Sequence, residues 1–261
     1  MTWRADDIVV GVPRDAFRPS PVFLAIVALF VTGGWMTWAR YGNVEFNVFL
    51  FVIAGWLVSL CLHEYAHALI AYRAGDVGVA HRGYLRLNPL KYSHPLLSIG
   101  LPVVAVLLGG IGLPGGAVWV DRHVIPGRLR HTLVSAGGPA TNVIFALVLA
   151  VPFVVGVDVN GHLEFWAAVA FLGFLQLTAS VLNLLPVPGL DGGNMLQPWL
   201  SAKWQRGYDL MAPYGFLLLF ALLWNPRIGG WFFAVVGAMA DLVGLPPELS
   251  GLGYELLRFW N

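Results

Sequence analysis

Charge is what this sequence has least of. Acidic and basic residues together make up 11% of its 261 residues, while 58% are hydrophobic; an ordinary soluble domain is about a quarter charged. So few charges cannot cover the apolar surface of a water-soluble fold, which leaves the bilayer as the natural solvent. Lysine is nearly absent, at Lys91 and Lys203 only, and this strong preference for arginine fits a GC-rich bacterial genome. With a net charge of +1 and no basic run interleaved with aromatics, nothing recommends a nucleic-acid partner. The single cysteine, Cys61, excludes an internal disulfide and sits in an apolar run, where a buried inert thiol is expected. Residues 1–20 lack the apolar core of a secretory signal and carry Asp6, Asp7, Arg14, Asp15 and Arg18. There is no internal repeat, no low-complexity tract and no linker that would mark a second domain.

What the sequence has instead is apolar runs. A helix needs about 20 apolar residues to span a bilayer. Residues 21–39, 47–72, 133–157, 165–185 and 229–245 read as spans, with 213–224 as a shorter one. Residues 95–113 are also apolar but are broken by Gly100-Leu101-Pro102 and Gly109-Gly110. Arginine placement decides between two topologies, because basic residues collect on the inner side. If 95–113 only dips into the membrane and returns, then Arg4, Arg14, Arg18, Arg73, Arg82, Arg86, Lys91, Arg122, Arg128, Arg130, Lys203 and Arg206 all fall inside. The loop 158–164, which carries no Lys or Arg, then falls outside. Glycine and proline in 95–113 fit irregular backbone lining a cavity. Gly116-Ala117-Val118-Trp119-Val120 reads as a short strand of a hairpin. The expected fold is therefore an all-α polytopic membrane protein. It has about six transmembrane helices, a membrane-dipping segment and a short β-hairpin. It divides into a tail (1–20), a membrane domain (21–245, core 47–200) and a C-terminal tail (246–261).

The chemistry concentrates in His63-Glu64-Tyr65-Ala66-His67. Two histidines at i and i+4 project from one face of a helix and can share a Zn²⁺. The glutamate between them can accept a proton from water activated by the metal. Glu64 is the only Asp, Glu, Lys or Arg between Phe46 and Tyr72, and an ionisable residue is expensive in such a run. A catalytic zinc needs a third protein ligand and an open position. Asp191 is the best candidate, in a Pro- and Gly-rich turn that follows a span; its ordinary alternative is a helix cap. Asn142 and Asn183 have two readings, as hydrogen-bond donors to substrate or oxyanion and as glue between helices. Gly137 and Gly138 read as close-packing residues.

Together these motifs resemble the site-2 protease family (peptidase family M50), and in particular its compact bacterial branch. The likeness runs from about residue 48 to 199. Besides the His-Glu pentapeptide it takes in Leu87-Asn88-Pro89-Leu90-Lys91, Gly138-Pro139 followed by Asn142, Asn183-Leu184-Leu185-Pro186, and Leu190-Asp191-Gly192. The resemblance implies an intramembrane zinc metalloprotease that cuts membrane-spanning protein substrates. In it His63, His67 and Asp191 hold one zinc, Glu64 is general base and then proton donor, and Asn142 and Asn183 belong to the site. Members often carry a PDZ or CBS domain, for which this chain has no room. Tyr92-Ser93-His94-Pro95 departs from the family's usual His-Ile-Asp-Pro, so no role passes to His94. The implied setting is a bacterial cell membrane, in contact with lipid, with the site toward the cytoplasm. The competing reading is a zinc-binding membrane protein that transports metal or scaffolds a partner, in which Glu64 would have no task.

Overall fold

A computed structural model describes residues 12–92 and 118–260, with Gly100 and Val104 between them. Ser20 caps the first helix, α1 (Pro21–Trp38), by accepting a hydrogen bond from the Phe23 amide, and Pro21 takes the first helical position. After a short turn Asn43 caps α2 (Val44–Ala74) in the same way through the Phe46 amide. At 31 residues α2 is about 46 Å long, more than a bilayer core requires, so one end must project. It stops at Gly75, whose φ of +121° few other residues adopt. A short helix, α3 (Gly78–His81), and two single 3₁₀ turns follow. Beyond residue 118 come α4 (Arg128–Val154), α5 (Leu163–Leu184), the short α6 (Asp191–Leu196), α7 (Ala202–Met211), α8 (Gly215–Trp224), α9 (Pro226–Val243) and α10 (Pro247–Leu257).

Among the described residues, five helices are long and apolar enough to cross a membrane: α1, α2, α4, α5 with the 3₁₀ turn before it, and α9. A sixth results if the pair α7–α8, bent by 76°, makes one span. By itself α8 is about 15 Å long, too short to cross. The centre of the bundle is α2 and α5, 61% and 78% buried over their apolar windows, against 22% for α1 and α9. Val48, Phe51, Val52 and Trp56 of α2 pack on Ala168, Phe171, Leu172 and Leu175 of α5. The exposed leucines, valines and tryptophans of α1, α4, α8 and α9 face outward, as lipid-facing positions do. The C-terminal α10 is docked on α5, with Leu257 fully buried.

Loops sort into two ends. At one end Arg40 pairs with Glu164 at 3.1 Å and Trp38 stacks on His162, joining the α1–α2 and α4–α5 connections. At the other, Asp15 pairs with Arg86 at 2.7 Å, and the Asp121 amide donates to Asp76. The expected dipping segment, 95–113, lies outside the described residues apart from Gly100 and Val104. Its flanks both meet α2: the Tyr92 hydroxyl reaches the Cys61 carbonyl and the Val118 amide reaches Glu64.

The hairpin expectation is corrected. Among the described residues there is no strand, and Val118–Val120 has no regular structure; Gly116 and Ala117 lie outside the described residues. The reason is where the backbone donors go. Val118 N–H is taken by the Glu64 carboxylate and Asp121 N–H by the Asp76 carboxylate, so these amides serve side chains instead of a ladder.

Candidate metal centre

The sequence pattern becomes geometry on α2. His63 and His67 lie one turn apart on its buried face, with Nε2 atoms 3.1 Å from each other. Asp191, at the start of α6, completes the group. Its Oδ2 is 3.2 Å from His63 Nε2, and its Oδ1 is 3.3 Å from His67 Nε2. Two glycines allow that approach. A Cβ at Gly192 would strike the Leu184 carbonyl, and one at Gly193 would strike that of Val187, so α6 can fold tightly back on the end of α5.

The far side of each imidazole fixes its tautomer. His67 Nδ1 is 2.6 Å from the Val134 carbonyl, which can only accept, so Nδ1 carries a hydrogen and, in the neutral ring that binds a metal, Nε2 is bare. His63 Nδ1 donates to the Asn142 amide oxygen at 2.5 Å. Asn142 is held in that orientation by donating its own amide N–H to Gln176 Oε1 at 2.7 Å. Two bare nitrogens therefore face each other at 3.1 Å beside a carboxylate whose Oδ2 is buried without a hydrogen-bond partner. Three lone-pair donors converging in this way repel one another unless a cation lies between them. Their mutual spacing suits a tetrahedral ion, whose ligands at 2.0–2.1 Å stand about 3.3–3.4 Å apart. The space for that ion is also kept clear from above. A Cβ at Gly138 would run into Nε2 of both histidines, while Gly137 is the packing glycine, against Ile70 and the Ala66 backbone. The donor set therefore fits zinc. Burial by itself would raise the Asp191 carboxyl, but the neighbouring His67 and His63 outweigh it and hold the group well below the usual carboxylate range.

These groups line a cavity of about 460 Å³. Glu64 is in its wall, 3% exposed, with one carboxylate oxygen accepting from the Val118 amide at 3.0 Å. Asn183 lines it too, beside Asn194 and Ser135. The two asparagines thus separate. Asn183 faces the cavity, whereas Asn142 has its amide oxygen on His63 and its amide nitrogen on Gln176. His123 and His131 line the cavity as well. Gln176, fully buried in the middle of α5, was missed in the sequence. A lone amide inside an apolar span is the signal that could have found it.

The chain resembles known proteins over nearly its whole length. It is 47% identical over 252 residues to a provisionally named zinc metalloprotease, Rip2, of Mycolicibacterium smegmatis, covering 95% of this chain and 96% of that one. The Mycobacterium tuberculosis Rip2 is similar to the same degree. A Bacillus subtilis protein, YwhC, with the same provisional zinc metalloprotease name, is 28% identical over 193 residues, covering 72% of this chain and 86% of its own. No family model matches the chain. No solved structure matches it either. An apolar helix bundle enclosing a zinc-type donor set, joined to identity of this extent with zinc metalloproteases, settles the relationship: the chain belongs to the site-2 protease family of zinc metalloproteases.

Proposed function

We propose that the chain is an intramembrane zinc endopeptidase that hydrolyses peptide bonds in or near transmembrane segments of other membrane proteins. His63, His67 and Asp191 hold the metal and Glu64 is the general base. One observation carries the reading: the bare Nε2 atoms and the Asp191 carboxylate converge inside apolar helices, on the wall of a cavity that also contains Glu64. A transporter would want exchangeable ligands along a path, and a scaffold would have no use for a buried glutamate beside the ion.

Zinc, when bound, polarises the scissile carbonyl and lowers the pKa of a water. The rest is the work of this chain's own residues. Glu64 accepts the proton of the attacking water on its carboxylate and returns it to the nitrogen of the departing amine. Asn183, on the cavity wall, is placed to hydrogen-bond the substrate backbone. Asn142 acts through His63, which it keeps in the tautomer that presents Nε2. A helical substrate hides its carbonyls in internal bonds, so it must unwind to enter. Segments weakened by Gly, Pro or Asn are therefore the preferred substrates, delivered laterally from the lipid. The site faces the cytoplasmic side, where the basic loops gather.

The test is cleavage by purified protein in lipid vesicles of a single-span peptide with a helix-weakening pair at mid-membrane. Glu64→Gln should keep the zinc and abolish cleavage. Full activity in that variant would remove Glu64 from the mechanism.

A further inference from the structure

Between the cavity and the end of α2 runs a short strap, residues 118–122, and four contacts pin it. The Val118 amide donates to Glu64 Oε2 at 3.0 Å. The Trp119 ring lies under the Arg82 guanidinium, 4.6 Å from carbon to ring centroid. The Asp121 amide donates to Asp76 Oδ2 at 2.8 Å. The Arg122 guanidinium donates to Gln197 Oε1, in the 3₁₀ turn that follows α6, at 2.5 Å.

Two of these four contacts run through one residue. Asp76 is 2% exposed, and its carboxylate takes both the Asp121 amide and Arg82, whose NH2 is 3.1 Å from Oδ2 and 3.3 Å from Oδ1. Arg82 in turn holds Trp119. Burying a carboxylate is costly unless it is paired and hydrogen-bonded, and here the pairing serves to fix the strap. With the Val118 amide on Glu64 and the Asp121 amide on Asp76, just past the end of α2, the strap lies alongside the last turns of that helix. One of its ends is then at Glu64 and the other at Asp76.

The geometry points to Asp76 as a positioning residue for the reaction, acting through the strap on Glu64. With Asp121 and Trp119 anchored, the Val118 N–H is held against one oxygen of the Glu64 carboxylate. That bond fixes the rotation of the carboxylate and leaves its other oxygen as the proton acceptor. Asp76 touches neither metal nor substrate, and its contribution is orientation. This inference rests on the protease reading for its effect on rate, but its structural half stands by itself.

Three variants in lipid vesicles test it: Asp76→Ala, Val118→Pro, which deletes the amide hydrogen, and the pair together. The readouts are hydrogen exchange at residues 118–122, bound zinc, and kcat and KM on the single-span peptide. In Asp76→Ala, exchange across the strap should rise while zinc content stays at one per chain. The kcat should fall about 10-fold to 100-fold, the scale of a lost hydrogen bond to a charged group, with KM little changed. Val118→Pro should do the same, and the double variant should be no slower than Val118→Pro alone, because both act through one bond. Additive losses, or zinc lost in step with activity, would overturn the proposal. Unchanged exchange would overturn it even if the wild type cut no peptide, an outcome that sinks the protease reading separately. If Asp76→Ala does not fold, Arg82→Gln removes the Trp119 anchor and leaves Asp121 on Asp76, so exchange should rise around Trp119 and kcat should fall by less than in Val118→Pro; unchanged exchange there would overturn the proposal.

Discussion

The amide oxygen of Asn142 lies 2.5 Å from His63 Nδ1, and the amide nitrogen of the same side chain donates to Gln176. Three helices thus contribute to the state of one imidazole: α5 orients Asn142 on α4, and Asn142 orients His63 on α2. Outer partners of metal-binding histidines usually matter by about 10-fold to 100-fold in affinity. Asn142→Ala and Gln176→Leu should each weaken zinc binding on that scale, measured by competition against a chelator of known affinity. The Gln176 variant should be the milder one, since Asn142 remains within reach of His63. Wild-type affinity in both would mean that Val134 and the helix alone fix the histidines.

Gly138 carries a sharper expectation. A single added methyl at this position would occupy the space in front of both Nε2 atoms, so Gly138→Ala should abolish zinc binding while the helix it sits in becomes, by propensity, slightly more stable. The control is Gly137→Ala, whose nearest neighbours are Ile70 and the Ala66 backbone. That variant should cost packing but keep the metal. If Gly138→Ala retained stoichiometric zinc, the ion would have to sit elsewhere than between the two nitrogens.

How much of this was readable beforehand follows from the physics of each feature. The histidine pair was legible because i, i+4 spacing on a helix is local geometry, and Glu64 because an ionisable residue stands out in an apolar run. Asp191 was legible only as a candidate, since its approach depends on how α6 folds back on α5 through Gly192 and Gly193. The distinct fates of Asn142 and Asn183 were not legible at all: both are polar residues on spanning helices, and only the packing of α4 on α2 sends one to His63. The expected hairpin failed for a related reason. Val118-Trp119-Val120 has strand composition, but carboxylates distant in sequence take the amides at its start and just past its end, those of Val118 and Asp121. The helix at 247–257 was read as a tail, because nothing in its composition announces that it docks on α5.

Removing the metal gives a test that needs no substrate. Two bare imidazole nitrogens beside an ionised carboxylate repel each other once the cation is withdrawn. Chelator should therefore lower the midpoint of thermal unfolding in detergent. At a zinc concentration 100 times the Kd, the linkage contribution is about 2.7 kcal/mol. Asp191→Asn, which weakens the donor set, should show a much smaller chelator effect. The pH dependence has a definite sign. Protons compete with zinc for the histidines, so affinity should fall as pH drops. Asp191, held ionised below the usual carboxylate range, should set no limit there. A chelator shift equal in wild type and Asp191→Asn would remove Asp191 from the ligand set.

The topology rests on the two flanks of residues 95–113. Tyr92 and Val118 both contact α2, and the connection that follows Val118 joins the same cluster of loops as residues 75–92, through Asp121 on Asp76. The opposite cluster is built from Arg40, Glu164, Trp38 and His162. Residues 118–122 therefore share one loop cluster with residues 75–86, and α4 starts from it. Arg122, Arg128 and Arg130 then fall on the side of Arg82 and Arg86, as the distribution of basic residues requires. A reporter enzyme active only in the cytoplasm, fused near Gly127, should be active, and one fused in the 158–164 loop should be silent. The reverse pattern would place the metal centre near the outer face and move substrate entry and water access with it.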